Sequence, residues 1–174
     1  LLIGREGPGI LRLTLPRRRL GLTHVEVVNN ELNECRGLLW AHGSLYANAN
    51  NSKGLYRLRD TTGDDQFDEV TLLRKTGGGV GHGRNSIALG PDGFIYLTHG
   101  NDVLLPEGFK PTQASTYRNY RRDQLLPCEW NRVMFNKGVE PPAGHVIRTD
   151  QDGERWDMIA GGFRNPYGLD FNPD

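Results

Sequence analysis

His82 follows a run of glycines, Gly77-Gly78-Gly79-Val80-Gly81, and precedes Gly83 and an apolar segment. An imidazole has an unperturbed pKa of about 6.5, so it can take up a proton at neutral pH, as a general base must. Glycines on both sides leave the ring uncrowded and let a ligand approach the backbone closely. A loop histidine satisfied by backbone carbonyls fits the same residues. A phosphate-binding loop does not, because the run lacks a Gly-Lys-Ser/Thr ending and a following helix.

Arg164-Asn165-Pro166 takes the equivalent place one unit later. The guanidinium is a planar, permanently charged donor fork suited to a carboxylate or a developing oxyanion, and the amide beside it donates and accepts. Pro166 stiffens the turn that aims them. A surface arginine closing a turn is the plainer account; the register shared with His82 favours one common site.

Positioning these groups falls to short strands. Apolar residues alternate with period two between Gly, Asn, Asp and Pro punctuation, and no long 3.6-residue stripe occurs. GHGRNSIALGPDGFIYLTHG (81–100) and GGFRNPYGLDFNPD (161–174) share one architecture, polar start, apolar strand and Pro-Asp turn. Strands are expected at Gly37–Trp40, Ser86–Leu89 and Tyr167–Phe171, and blocks of three further strands recur after the first two. Four antiparallel strands every ~40–50 residues is the signature of a β-propeller blade. The expected fold is therefore all-β, a fragment of about three blades: a partial blade at 1–35, a second at 36–76, an enlarged third at 81–162 and the start of another at 163–174. The third carries an insertion, about 101–143, with Tyr117, Tyr120 and Trp130. A β-sandwich also suits regular strands; the repetition of whole three-strand blocks favours the propeller.

The 174 residues carry 21 basic and 21 acidic side chains, so no broad positive field exists to attract nucleic acid. The one basic run, Arg17-Arg18-Arg19, follows Pro16 and reads as a solvated loop. No apolar run is long enough to span a bilayer. The chain opens on Leu1 and stops within what elsewhere is a Pro-Asp-Gly turn, so a piece of a longer protein is expected. Cys35 and Cys128 lack any metal-binding spacing, and the sequence leaves them paired or free. Asp60 to Asp68 places carboxylates like a calcium loop, but Asp65 stands where a glycine is needed and Thr71 where the bidentate glutamate is needed. A polar hairpin turn between the outer strands of a blade is the simpler reading, matched by Asp150-Gln151-Asp152-Gly153 in the next unit.

The His-x7-Gly-Pro-Asp-Gly and Arg-Asn-Pro-x-Gly-Leu segments, found across most of the chain's length, resemble the soluble, pyrroloquinoline-quinone (PQQ)-dependent glucose and sorbosone dehydrogenase family, a six-bladed propeller. With GLYRLRDTTGDDQFDEVTLL, the resemblance is closest to the membrane-bound dehydrogenase domains of planctomycete-type bacteria. It implies a sugar or polyol substrate, His82 as the catalytic base, and Arg164 and Asn165 as contacts to PQQ. It also implies a calcium ion whose ligands come from a segment after the Arg-Asn-Pro strand, an electron acceptor such as a cytochrome, a periplasmic or exported location, and membrane association only through other segments. In that family an acidic residue precedes the histidine; here the place is Gly81. A non-catalytic propeller that binds a glycan or a partner protein through the channel face and the 101–143 insertion is the alternative.

Overall fold

Alternating apolar positions cut by tight turns yield strands throughout, and the described residues contain no helix. The structure is a computed structural model that describes residues 1–16, 21, 24–106 and 142–172. Arg17 to Arg19, most of the 101–143 insertion with Tyr117, Tyr120, Cys128 and Trp130, and the last two residues lie outside the described residues.

Three antiparallel sheets follow one another along the chain. The first contains β1 (Leu2–Gly4), β2 (Pro8–Thr14) and β3 (His24–Asn33). The second is a four-stranded meander of β4 (Cys35–Ala41), β5 (Ser44–Ala49), β6 (Gly54–Arg59) and β7 (Glu69–Lys75). A short ribbon pairs β8 (Gly77–Gly78) with β11 (Val103–Leu104). The third sheet runs β9 (Arg84–Leu89), β10 (Ile95–His99), β12 (Gly144–Thr149) and β13 (Trp156–Phe163) in spatial order. The described sheets are all open.

Local chemistry sets the turns. His42 and Gly43 join β4 to β5 with φ of 49° and 66°, the doubly left-handed two-residue hairpin whose twist matches its strands. Pro91-Asp92-Gly93 turns β9 into β10 as expected, with the Gly90 N–H donating to Phe94 O at 2.8 Å. Asp60 Oδ1 accepts the Gly63 N–H at 2.7 Å and Oδ2 the Asp65 N–H at 2.8 Å, and Asp150 likewise accepts the Glu154 N–H at 2.9 Å. Both acidic loops are thus turns tied by their first aspartate, between the outer strands of their sheets.

Period two also builds the core. On β5, Leu45, Ala47 and Ala49 join Ile10, Val28 and Leu32 of the first sheet, while Tyr46 faces Ile87, Ile95, Leu97 and Ile147 of the third. Every β5 residue is buried. Each fully buried leucine or isoleucine stabilises the fold by roughly 1.5–3 kcal/mol. Cys35 belongs to the first cluster, has no disulfide partner among the described residues, and its thiol is pushed up to about 12 by burial.

One expected strand is absent. Tyr167–Phe171 has no ladder partner and is irregular. It is held instead by side chains: Asn85 Nδ2 donates to Pro166 O at 3.0 Å, and Phe171 meets Tyr96 edge-on at 4.9 Å. A strand is stable only where a neighbour takes its hydrogen bonds.

Candidate functional site

The starts of β4 and β9 and the Arg-Asn-Pro segment meet at one end of the sheets. Arg36 Nη1 donates to Asn85 Oδ1 at 3.1 Å, and Asn85 Nδ2 donates to Asn165 Oδ1 at 2.8 Å. These bonds carry a polar line across three segments far apart in sequence. Glu34 anchors one end: its Oε1 accepts from Arg36 Nε at 2.8 Å and its Oε2 from Asn50 Nδ2 at 2.8 Å. Asn48, Asn50 and Asn85 are fully buried. In a low-dielectric interior such a network holds its geometry because breaking one bond strands the partner.

The glycine-rich loop is fixed by Arg84. This side chain is completely buried and faces no carboxylate among the described residues. Its guanidinium donates to Thr76 Oγ1, and to the carbonyls of Thr76 at 3.0 Å, Gly77 at 2.6 Å, Gly79 at 3.0 Å and Asn50 at 3.2 Å. Burial lowers its pKa to about 10. The fork acts as a clamp that the loop's own carbonyls close. Gly83 completes the fit: a Cβ there would stand 1.8 Å from Asn50 Oδ1.

His82 leaves this clamp half-buried. Its N–H donates to Asp102 Oδ2 at 2.8 Å, and its Nδ1 lies 2.7 Å from Asn101 Oδ1. An amide oxygen only accepts, so the neutral ring carries its proton on Nδ1 and its lone pair on Nε2. The Asn101 N–H donates to Arg164 O at 2.9 Å. Gly100 sits between the two predicted groups, since a Cβ on it would be 2.4 Å from His82 O and 2.7 Å from Asn165 Oδ1. These contacts bring the His82 and Arg164 backbones and the Asn165 amide close together, while of the three only Asn165 lines the neighbouring cleft. The Arg164 side chain is exposed, with its backbone carbonyl making the contact.

A cleft of about 690 Å³ opens beside them, bounded by Arg5, Glu34, Arg36, Gly81, Asn165 and Tyr167. Gly81 forms its edge and the His82 ring turns back towards Asn101. Two guanidinium groups, Arg5 and Arg36, and two carboxylates, Glu6 and Glu34, line the cleft with the Asn165 amide, and Arg36 is already bonded to Glu34 and Asn85; the volume lies within the usual range for ligand sites, about 300–1,000 Å³. Among the described residues no three or more His, Cys, Asp or Glu side chains stand together as a metal-holding group.

Behind the loop, His99 pairs with Arg84 across β10 and β9, and with His145 across β10 and β12. His145 Nδ1 lies 2.9 Å from Ala143 O, and His99 Nδ1 lies 3.2 Å from His145 Nε2. A carbonyl can only accept, so the protons run from His99 Nδ1 to His145 and from His145 Nδ1 to Ala143. His99 Nε2 is left with a buried lone pair and no partner among the described residues. Burial pushes His99 well below the usual imidazole range, helped by the charges of His145 and Arg84; burial also lowers His145, against the Ala143 bond.

Sequence reasoning had not singled out Glu34, Arg36, Asn50, Arg84 or Asn85. A usable signal was the Arg-Asn dipeptide, present at 84–85 and again at 164–165 just after the glycine-rich stretches. Comparison with protein-family models, with curated proteins and with solved structures finds no match for this chain.

Proposed function

We propose that the three sheets are successive blades of a β-propeller and that the end carrying His82 is the site of a PQQ-dependent dehydrogenase acting on sugars or polyols. The observation that carries this reading is the line from Arg36 through Asn85 to Asn165 along a cleft whose edge is Gly81, the residue before His82. Successive blades would aim the starts of their first strands at one axis, and the meeting of these segments supports that reading.

When bound, the quinone supplies a two-electron hydride acceptor. His82 would accept the substrate hydroxyl proton on Nε2. Arg164 and Asn165 would hold the quinone, their side-chain N–H groups donating to its oxygens. Arg84 keeps the loop bearing His82 from moving, so the base stays placed.

The test is reconstitution of the full-length protein with PQQ and calcium, followed by reduction of an artificial electron acceptor with aldoses and polyols. Turnover that falls at least about 100-fold in His82→Ala, within the range general-base catalysis contributes, is the expected result. Absence of turnover with every aldose and polyol, together with no change in quinone absorbance on mixing, removes the enzyme reading and leaves a binding scaffold.

A further inference from the structure

At the far end of β4 from Arg36 lies a second cavity of about 300 Å³, lined by Leu2, Arg12, Trp40, Asp60, Asp65 and Phe67. Arg36 and Trp40 are four residues apart on one strand, about 13 Å, so the two cavities lie towards opposite ends of β4, with Leu2 bordering both.

Its chemistry is mixed in a particular way. Trp40 is 61% exposed, an unusual position for an indole, and its ring stands 6.4 Å from that of Phe67 at 41°. Two aspartates line the same cavity. Asp60 is tied into its loop through Gly63 and Asp65, whereas the Asp65 carboxylate has no hydrogen-bond partner among the described residues. Arg12 closes the cavity, donating to Asp65 O and lying 3.2 Å from Glu26 Oε1. An aromatic face, carboxylate acceptors and a guanidinium donor within one small cavity match a pyranose, whose C–H face is apolar and whose edge is a ring of hydroxyls.

Two competing ligand classes fit less well. A cation would meet the Arg12 guanidinium, which already brings positive charge into the cavity 5.9 Å from the Phe67 ring. An anion would meet Asp60 and Asp65. We propose that this cavity binds a neutral saccharide, with one sugar face on Trp40 and its hydroxyls on the Asp65 carboxylate. The site adds a saccharide contact remote from the proposed redox centre and independent of it.

The experiment is titration of the full chain with maltotriose, cellotriose and xylotriose by calorimetry and saturation-transfer NMR. Binding of at least one trisaccharide is expected, weakened at least about tenfold in Trp40→Ala, a change of about 1.4 kcal/mol. Asp65→Ala should weaken it as well, with circular dichroism confirming that both variants keep their strands. No binding of any of the three sugars overturns the proposal. So does binding that survives Trp40→Ala and Asp65→Ala but is lost in Arg36→Ala, which puts the sugar in the other cleft. Tighter binding of tetramethylammonium than of every trisaccharide overturns it too, in favour of a cation.

Discussion

Replacing Arg84 by lysine isolates what the guanidinium fork contributes. Both side chains bring one buried positive charge, so the desolvation cost is largely retained while the donor geometry is lost. Arg84 makes five hydrogen bonds, to Thr76 Oγ1 and to the carbonyls of Thr76, Gly77, Gly79 and Asn50. An ammonium has three donors radiating from one point, so at least two acceptors are abandoned. Thr76 and Asn50 are buried and cannot recover water. Hydrogen bonds to a charged group are worth about 1.5–3 kcal/mol each, which puts the expected loss at about 3–6 kcal/mol. For a domain of this size, thermal unfolding should come earlier by at least about 6 °C, at roughly 2–4 °C per kcal/mol. Circular dichroism melts and urea titrations at fixed pH measure this directly. Hydrogen exchange at Gly79, whose N–H is bonded to Asp102 O at 2.7 Å, should accelerate in the variant. A stability change under about 0.5 kcal/mol, the size expected of an ordinary surface substitution, would show that the fork does not clamp the loop.

Acidification should expose the buried histidine pair. His99 and His145 both have folded-state pKa values below the 6.5 of a free imidazole, so their neutral forms are the ones the fold accepts. Stability is then unaffected by them above about pH 6.5 and is lost as the pH falls below it, because the unfolded chain binds protons that the folded one refuses; the slope approaches about 1.4 kcal/mol per pH unit for each histidine. Urea titrations from pH 7.5 to 5 should show that slope, and His145→Gln should flatten it; equal slopes in the two proteins would contradict the assignment. Asp60→Ala should release the N–H groups of Gly63 and Asp65 and speed their exchange, while calcium titrations of wild type and Asp64→Ala should be indistinguishable, because the loop is organised by Asp60. A calcium-dependent difference between those two proteins would restore the metal-loop reading.

Strand positions were largely legible because period two and turn chemistry are local signals. Gly37–Trp40, Ser86–Leu89 and the Pro91-Asp92-Gly93 turn follow from a few neighbouring residues each. Tyr167–Phe171 has the same pattern, but pairing is decided by what lies beside a segment, and no described strand does. Polar residues were the harder part. Ser44, Asn48 and Asn50 look like solvent-facing positions by alternation, yet all three are buried, since β5 has a sheet on each side and the strand ends are consumed by hydrogen bonds. Arg84 is invisible for a related reason: its acceptors are main-chain carbonyls, which every residue possesses and no pattern marks. The candidate base, in contrast, stood out because flanking glycines are a rare local context.

β5 contributes alternate side chains to two separate apolar clusters, and its sheet is also bolted to the third: the Tyr46 hydroxyl donates to Gln151 O at 2.9 Å and Arg57 meets Asp152 at 2.6 Å. The outer sheets do not share a cluster with each other. Melting should therefore behave like a chain of three links in which only the central one is indispensable. A cavity at Leu58 weakens the first junction and one at Leu97 the second, but damage at β5 uncouples the whole stack at once. Under directional tension or partial denaturation, the ends are free to peel independently, and survival of the middle determines whether either can re-anneal.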